Sequence, residues 1–157
     1  MSRAGPATGR DGGTAVVEFV LLGVGLLVPL LCLAVAVSAA QRTALGATRA
    51  AREAGRAYVT GTAATAPVRA EQAARLALAD EGVPADGVEV RYAGADSGCA
   101  AATARPWPLR PGEVFAVCVR VPLRLPAVPG VGALAGDRAS VTGRQVVRAD
   151  DFRDHGR

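Results

Sequence analysis

The sequence predicts an α+β fold, a long N-terminal transmembrane helix followed by a small domain of one helix and a three-stranded antiparallel sheet. Residues 19–40, FVLLGVGLLVPLLCLAVAVSAA, run 22 positions without a charge, enough for a helix to cross a hydrocarbon core of about 30 Å. Beyond them small apolar residues recur at steps of three and four as far as Tyr58, the period of one helix face. Past residue 80 the period becomes two, in Val88-Glu89-Val90-Arg91-Tyr92 and again over 114–125, as in half-buried strands.

The span comes first. Pro29 lies inside it and predicts a kink, which membrane helices tolerate because neighbouring groups satisfy the freed carbonyl. Ahead of it stands a polar leader with Arg3, Arg10 and Asp11, then Gly12-Gly13-Thr14-Ala15-Val16-Val17-Glu18-Phe19. Glu18 is out of place at the head of an apolar run, since a charge at the centre of a spanning helix costs about 2.5–3.5 kcal/mol on insertion scales. Two explanations compete. In one, Glu18 sits at headgroup level in the first helical turn, where the helix dipole favours an anion. In the other, it pairs with an amino group freed by cleavage after Gly13, which makes Thr14 the new N-terminus and Glu18 the fifth residue. The doublet Gly12-Gly13 leaves that cut open by one residue.

A secretory signal peptide is the rival explanation of the apolar run, with Ser38-Ala39-Ala40 as its small-residue cleavage site and Gln41 as the first mature residue. Such cores usually hold about 7–15 apolar residues, fewer than the 22 found here. Arg42, Arg49, Arg52 and Arg56 follow the span against two arginines before it, so the positive-inside rule does not itself place the N-terminus in the cytoplasm.

After the span, Ala40, Ala44, Ala47, Ala51, Ala54 and Tyr58 fall on one side, and Arg42, Arg49, Arg52, Glu53 and Arg56 on the other. One continuous amphipathic helix over residues 14–59 is expected, ending near Gly61. Its alanine seam suits close approach, either to another subunit or to the chain's own sheet. The domains are accordingly a leader, 1–13, a helical stem, 14–60, and a small α+β domain, 61–157.

Within that domain Thr65 and Pro67 open a second helix that runs through Glu81. Glu71 and Arg75 are spaced for an ion pair, and Gly82-Val83-Pro84 ends it. A strand around Val88–Tyr92 and a loop over 93–113 follow. The best-defined strand covers 114–125, with Phe115, Val117, Val119, Val121, Leu123 and Leu125 on one face and Pro122 marking a bulge or an edge. An apolar turn over 126–136 leads to a last strand over 139–148.

Such a core is thin. Only six of the 157 residues are aromatic, and one small domain is all the remaining length supports. Cys99 and Cys118 could close a disulfide in an exported domain, or serve as two small buried hydrophobes. Trp107, between Pro106 and Pro108, either offers an exposed contact or covers the sheet.

Composition argues against other functions. All eighteen basic residues are arginine, and they are scattered from Arg3 to Arg157 without interleaved aromatics, so the net charge of +4 does not indicate nucleic-acid binding. The single histidine, His155, stands in a charged tail with Asp150, Asp151 and Asp154, and no ligand spacing for a metal is present. No G-x-S-x-G, P-loop or dinucleotide fingerprint occurs. The expectation is a protein without cofactor or metal that is not an enzyme.

The glycine–glutamate spacing resembles the class III signal of type IV prepilins. Together with Gly-Thr-Ala-Val-Val-Glu-Phe at residues 13–19, the stretch AAREAGRAY at 50–58 and the terminal strand at 140–148, it makes the chain resemble the TadE-like minor pilins or pseudopilins. That resemblance implies a pilin-type helix and a role in a Tad (tight adherence) pilus or secretion system. It further implies a leader cut on the cytoplasmic side by a prepilin peptidase, a C-terminal domain facing outward, and possible export into an extracellular pilus. Partners would be the membrane, other pilin subunits and the Tad assembly platform with its ATPase. Glu18 would neutralise the amino terminus of an adjacent subunit. Thr14 stands where better-known pilins carry phenylalanine, leaving its methylation open. The alternative is a single-pass anchored or secreted envelope protein that binds a partner without joining a filament.

Overall fold

The computed structural model describes residues 11–124 and 139–150, with side chains from Val17 onward. The first ten residues of the leader, Leu125, the turn over 126–136 and the tail beyond Asp150 lie outside the described residues, while Leu123 and Arg124, expected in the second strand, fall past its end. In chain order the elements are α1 (Asp11–Thr60), α2 (Ala66–Asp80), β1 (Glu89–Gly94), a short 3-10 turn (Cys99–Ala101), β2 (Val114–Pro122) and β3 (Ser140–Arg148). This is the α+β architecture the alternation of periods predicts. Two compact units divide the chain, Met1–Val37 and Ser38–Arg157, so the boundary falls within α1 itself.

In the first unit α1 carries its large side chains outward: Phe19 is 78% exposed, Leu27 60% and Val37 46%. It is the one helix among the described residues long and apolar enough to cross a membrane, and it stands near the N-terminus. Pro29 lies within its helical run.

The second unit is a three-stranded antiparallel sheet in the order β1-β2-β3. Its register sets Val90 beside Val119 and Val119 beside Gly143, and likewise Tyr92 beside Val117 and Val117 beside Gln145. Phe115, Val117, Val119 and Val121 of β2 are fully buried and form the core with Ala47, Ala50, Ala51, Ala54 and Tyr58 of α1 and Ala66, Ala70, Ala74 and Leu78 of α2. Pro122 marks neither a bulge nor an edge strand. It is the last residue of the central strand, paired with Ser140. The pairing of β1 reaches only to Glu89 opposite Arg120, so proline's missing N–H costs no ladder bond there.

Local chemistry sets the helix ends. Thr62 and Thr65 exchange bonds between α1 and α2, the Thr62 N–H donating to Thr65 Oγ1 at 3.0 Å. At the end of α2 the Val83 N–H donates to the Leu78 carbonyl and the Gly82 N–H to that of Ala79, both at 2.9 Å. Gly82 has φ +66°, giving a Schellman cap that needs the left-handed backbone glycine supplies. Glu71 and Arg75 pair at 2.7 Å, one turn apart.

The seam of α1 differs by a small rotation from the expected one. Ala44 is exposed, and Thr43, Gly46, Ala50 and Gly55 join Ala47, Ala51, Ala54 and Tyr58 in the buried stripe. In an alanine-rich helix several stripes at steps of three and four look alike. The larger residues opposite, Val83, Leu78 and Val147, select among them. Thr43 satisfies its buried hydroxyl within the helix, donating to the Ala39 carbonyl at 2.9 Å.

Candidate functional site

Two features stand out: the acid near the start of α1, and the joint that builds the other end of α1 into the sheet.

Helix α1 begins at Asp11, so Glu18 stands about two turns in, past the reach of the terminal dipole, which fades within the first turn. Glu18 is exposed and makes no ion pair among the described residues. Its neighbours Phe19, Val20, Leu21 and Leu22 are all more than half exposed, so no described side chain compensates the carboxylate if this surface enters lipid. Gly13 and Thr14 lie in the first turn of the same helix.

At the other end, α1 approaches the sheet at backbone distance. A Cβ built on Gly143 of β3 would overlap the carbonyl of Ala47, and one on Gly55 would lie 2.6 Å from Val147 Cγ1. Only hydrogen fits at these two positions, so the small-residue seam is answered by a glycine from the strand. Tyr58 closes the joint. Its ring centroid is 4.6 Å from that of Tyr92 and 5.4 Å from that of Phe115, and its hydroxyl donates to the Trp107 carbonyl at 2.7 Å. Burial pushes both phenols above their ordinary pKa, Tyr92 the more strongly because Tyr58 and Glu71 add to the effect. Both therefore stay neutral and polar at their tips.

Trp107 covers the sheet. It stacks on Phe115 with centroids 6.1 Å apart, and its indole N–H donates to Glu113 at 3.0 Å. On the opposite face of the sheet Cys99 and Cys118 form a disulfide, with Cα atoms 5.8 Å apart. Around it Ala93, Ala102 and Ala116 make a second small cluster. The bond holds the loop after β1 against the central strand, and the Tyr92–Thr103 bridge seats the same loop on the edge of β1.

Of the candidate site residues distant in the sequence, the two cysteines are brought together. Glu18 and Pro29 fall in the first unit and the disulfide in the second. Gly55, Gly143 and the Tyr58–Trp107 bond were not among the expected site residues. A glycine in the interior of a strand was the available signal for Gly143, since such a glycine marks close backbone approach. Among the described residues no group of three or more His, Cys, Asp or Glu side chains gathers as metal ligands would. Compared with protein-family models, with curated proteins and with solved structures, the chain finds no match in any of the three.

Proposed function

We propose that this protein is a minor pilin or pseudopilin of a Tad-type pilus assembly or secretion system, similar to the TadE-like proteins. In this role α1 crosses the membrane from a cytoplasmic N-terminus, a prepilin peptidase removes the leader after Gly13, and the mature chain packs into a filament or primes one. The domain after the span then lies outside the cytoplasm, the compartment where a disulfide such as Cys99–Cys118 persists. Assembly platform proteins and other pilin subunits are the partners. The protein acts by packing rather than by bond chemistry, without cofactor.

The observation that carries this proposal is Glu18, an exposed carboxylate at the head of an apolar helical surface with no ion-pair partner among the described residues. A charge in that position is tolerated in lipid when a partner arrives. Cleavage after Gly13 frees the Thr14 ammonium, and on an adjacent subunit that group supplies the partner.

Intact-mass measurement of the membrane-extracted protein tests the first step. A chain beginning at Thr14 is expected, with Gly13→Leu accumulating the longer precursor. Glu18→Ala is then expected to leave insertion intact and to abolish incorporation into pili, scored by pelleting sheared filaments. A chain that keeps Met1, or one that begins at Gln41, overturns the proposal, as do normal pilus numbers with Glu18→Ala.

A further inference from the structure

The helices cover one face of the sheet, the face that carries Phe115, Val117, Val119 and Val121. The alternate residues of β2, Ala116, Cys118 and Arg120, turn to the other face. There the register sets Arg91 of β1 and Arg144 of β3 beside Cys118, and Glu89 and Thr142 beside Arg120. Ala116 and Cys118 are buried, packed with Ala102 and Cys99 of the turn that the disulfide holds, whereas Arg120 is exposed. Beside that turn lies a groove of about 330 Å³, lined by the disulfide, Arg91, Arg120, Ser140 and Thr142.

Its two arginines have donors to spare. Glu89 stands directly across from Arg120, yet its carboxylate is held by Arg91, whose Nε and Nη2 donate to Oε2 at 3.0 and 2.9 Å. Arg120 leans the other way. Its Nε donates to Ser140 Oγ at 2.9 Å, and its terminal nitrogens make no hydrogen bond or ion pair among the described residues. A guanidinium presents its donors as a rigid planar fork, so Arg120 keeps both terminal nitrogens for a ligand and Arg91 keeps Nη1. Arg144, on the same face, is engaged with the carbonyls of Ala95 and Ser97 and does not line the groove.

We infer that this groove binds a phosphate group, either free or as an ester. Two guanidinium groups and two hydroxyls line one groove, against a single carboxylate that Arg91 already neutralises. A carboxylate ligand has two oxygens in one plane and is served by one arginine, whereas a tetrahedral phosphate has acceptors for both arginines and for the hydroxyls of Ser140 and Thr142. The groove lies away from the helix-covered core, so a ligand enters without disturbing the packing of α1 on the sheet. Because Arg120 is exposed, the interaction weakens with salt. The disulfide forms part of the site. It fixes the turn Cys99–Ala101 against Cys118, and reduction releases that wall while the strand residues stay in place. Nothing in this site depends on leader cleavage or on packing into a filament.

The test uses the full chain in non-ionic detergent with chloride as the other anion, and reads phosphorus NMR line widths of two probes, inorganic phosphate and a short-chain phosphatidylglycerol. Arg120→Gln is expected to weaken binding about tenfold, the loss of a charged hydrogen-bond donor. Arg120→Lys should recover part of it, keeping the charge without the fork. Glu89→Gln should tighten binding about threefold by removing the competing carboxylate. Arg75→Gln, an equal loss of charge on α2, should change nothing. Thr142→Val, an exposed position on β3, gives a second variant that loses one hydroxyl and should weaken binding about fivefold. Binding of both probes identifies the phosphate group itself as the ligand, and binding of the lipid alone, lost in Arg120→Gln, identifies a headgroup. Binding of neither probe, equal affinity in Arg120→Gln and the parent, an equal loss in Arg75→Gln, or unchanged affinity after reduction of the disulfide would each overturn the inference. Intact mass of the same samples reports separately on cleavage at Gly13.

Discussion

The two ends of α1 solve opposite packing problems with one backbone. From Val17 to Val37 the helix displays leucine, valine and phenylalanine, all of them exposed. From Thr43 to Tyr58 it buries alanine and glycine completely or nearly so. Large apolar residues lie outside and small ones inside, the reverse of a water-soluble helix. Burial of large side chains stabilises a helix in water, whereas in lipid those side chains already have a suitable solvent. Close approach is what the second half gains, because an alanine seam lets the sheet reach the helix backbone at Gly143. The same element thus changes style near Ser38, where the compact units divide, from a surface apolar enough to cross a membrane to one that packs in the core of the domain.

Gly143→Val should break this comparison most severely. The added side chain meets backbone at Ala47, which cannot rotate aside, so the expected loss is about 3 kcal/mol or more. Thermal unfolding of the purified protein should show it, with Gly143→Ala intermediate. A variant as stable as the parent would mean that helix and strand do not touch there.

Leu27→Arg probes the other half. It should hinder membrane integration by about 2.5–3.5 kcal/mol, read as protein recovered in the carbonate-soluble fraction. The thermal midpoint of the domain should not move, since Leu27 is 60% exposed and belongs to the other compact unit. A fall in that midpoint would show that the two halves are not separable in this way.

Removing the disulfide by Cys99→Ala with Cys118→Ala should cost about 3 kcal/mol, the loop-closure value for a cross-link of this span. The two residues are 19 positions apart, and the core they brace has only three strands. Equal unfolding midpoints with and without the bond would assign the loop's order to the Tyr92–Thr103 bridge instead. The smallest effect is expected for Tyr58→Phe. It keeps the ring contacts with Tyr92 and Phe115 and removes one hydrogen bond to the Trp107 carbonyl, about 1 kcal/mol in chemical denaturation.

Much of the fold was legible from residue order. The uncharged run at 19–40, the alternation in β1 and β2, the Gly82 cap and the Glu71–Arg75 pair each follow from local spacing, although β2 stops at Pro122, three residues short of the expected 125. Less of the site was legible. The rotation of the α1 seam escaped prediction because Ala44 and Ala47 are chemically alike, and only their distance from Leu78, Val83 and Val147 tells them apart. The role of Gly143 escaped because a glycine in a strand says that something approaches closely without saying what.

Sequence alone, then, determined the elements and which of them is apolar enough to cross a membrane, because helix period, strand period and the absence of charge are local properties of the chain. It also determined the position of Glu18, an acid where the surrounding residues call for lipid. Tertiary structure alone decided which alanines are buried, that Trp107 lies on Phe115 and that Cys99 meets Cys118. These depend on contacts between residues distant in the chain, and such contacts are selected by the shape of the whole core rather than by any neighbour in sequence.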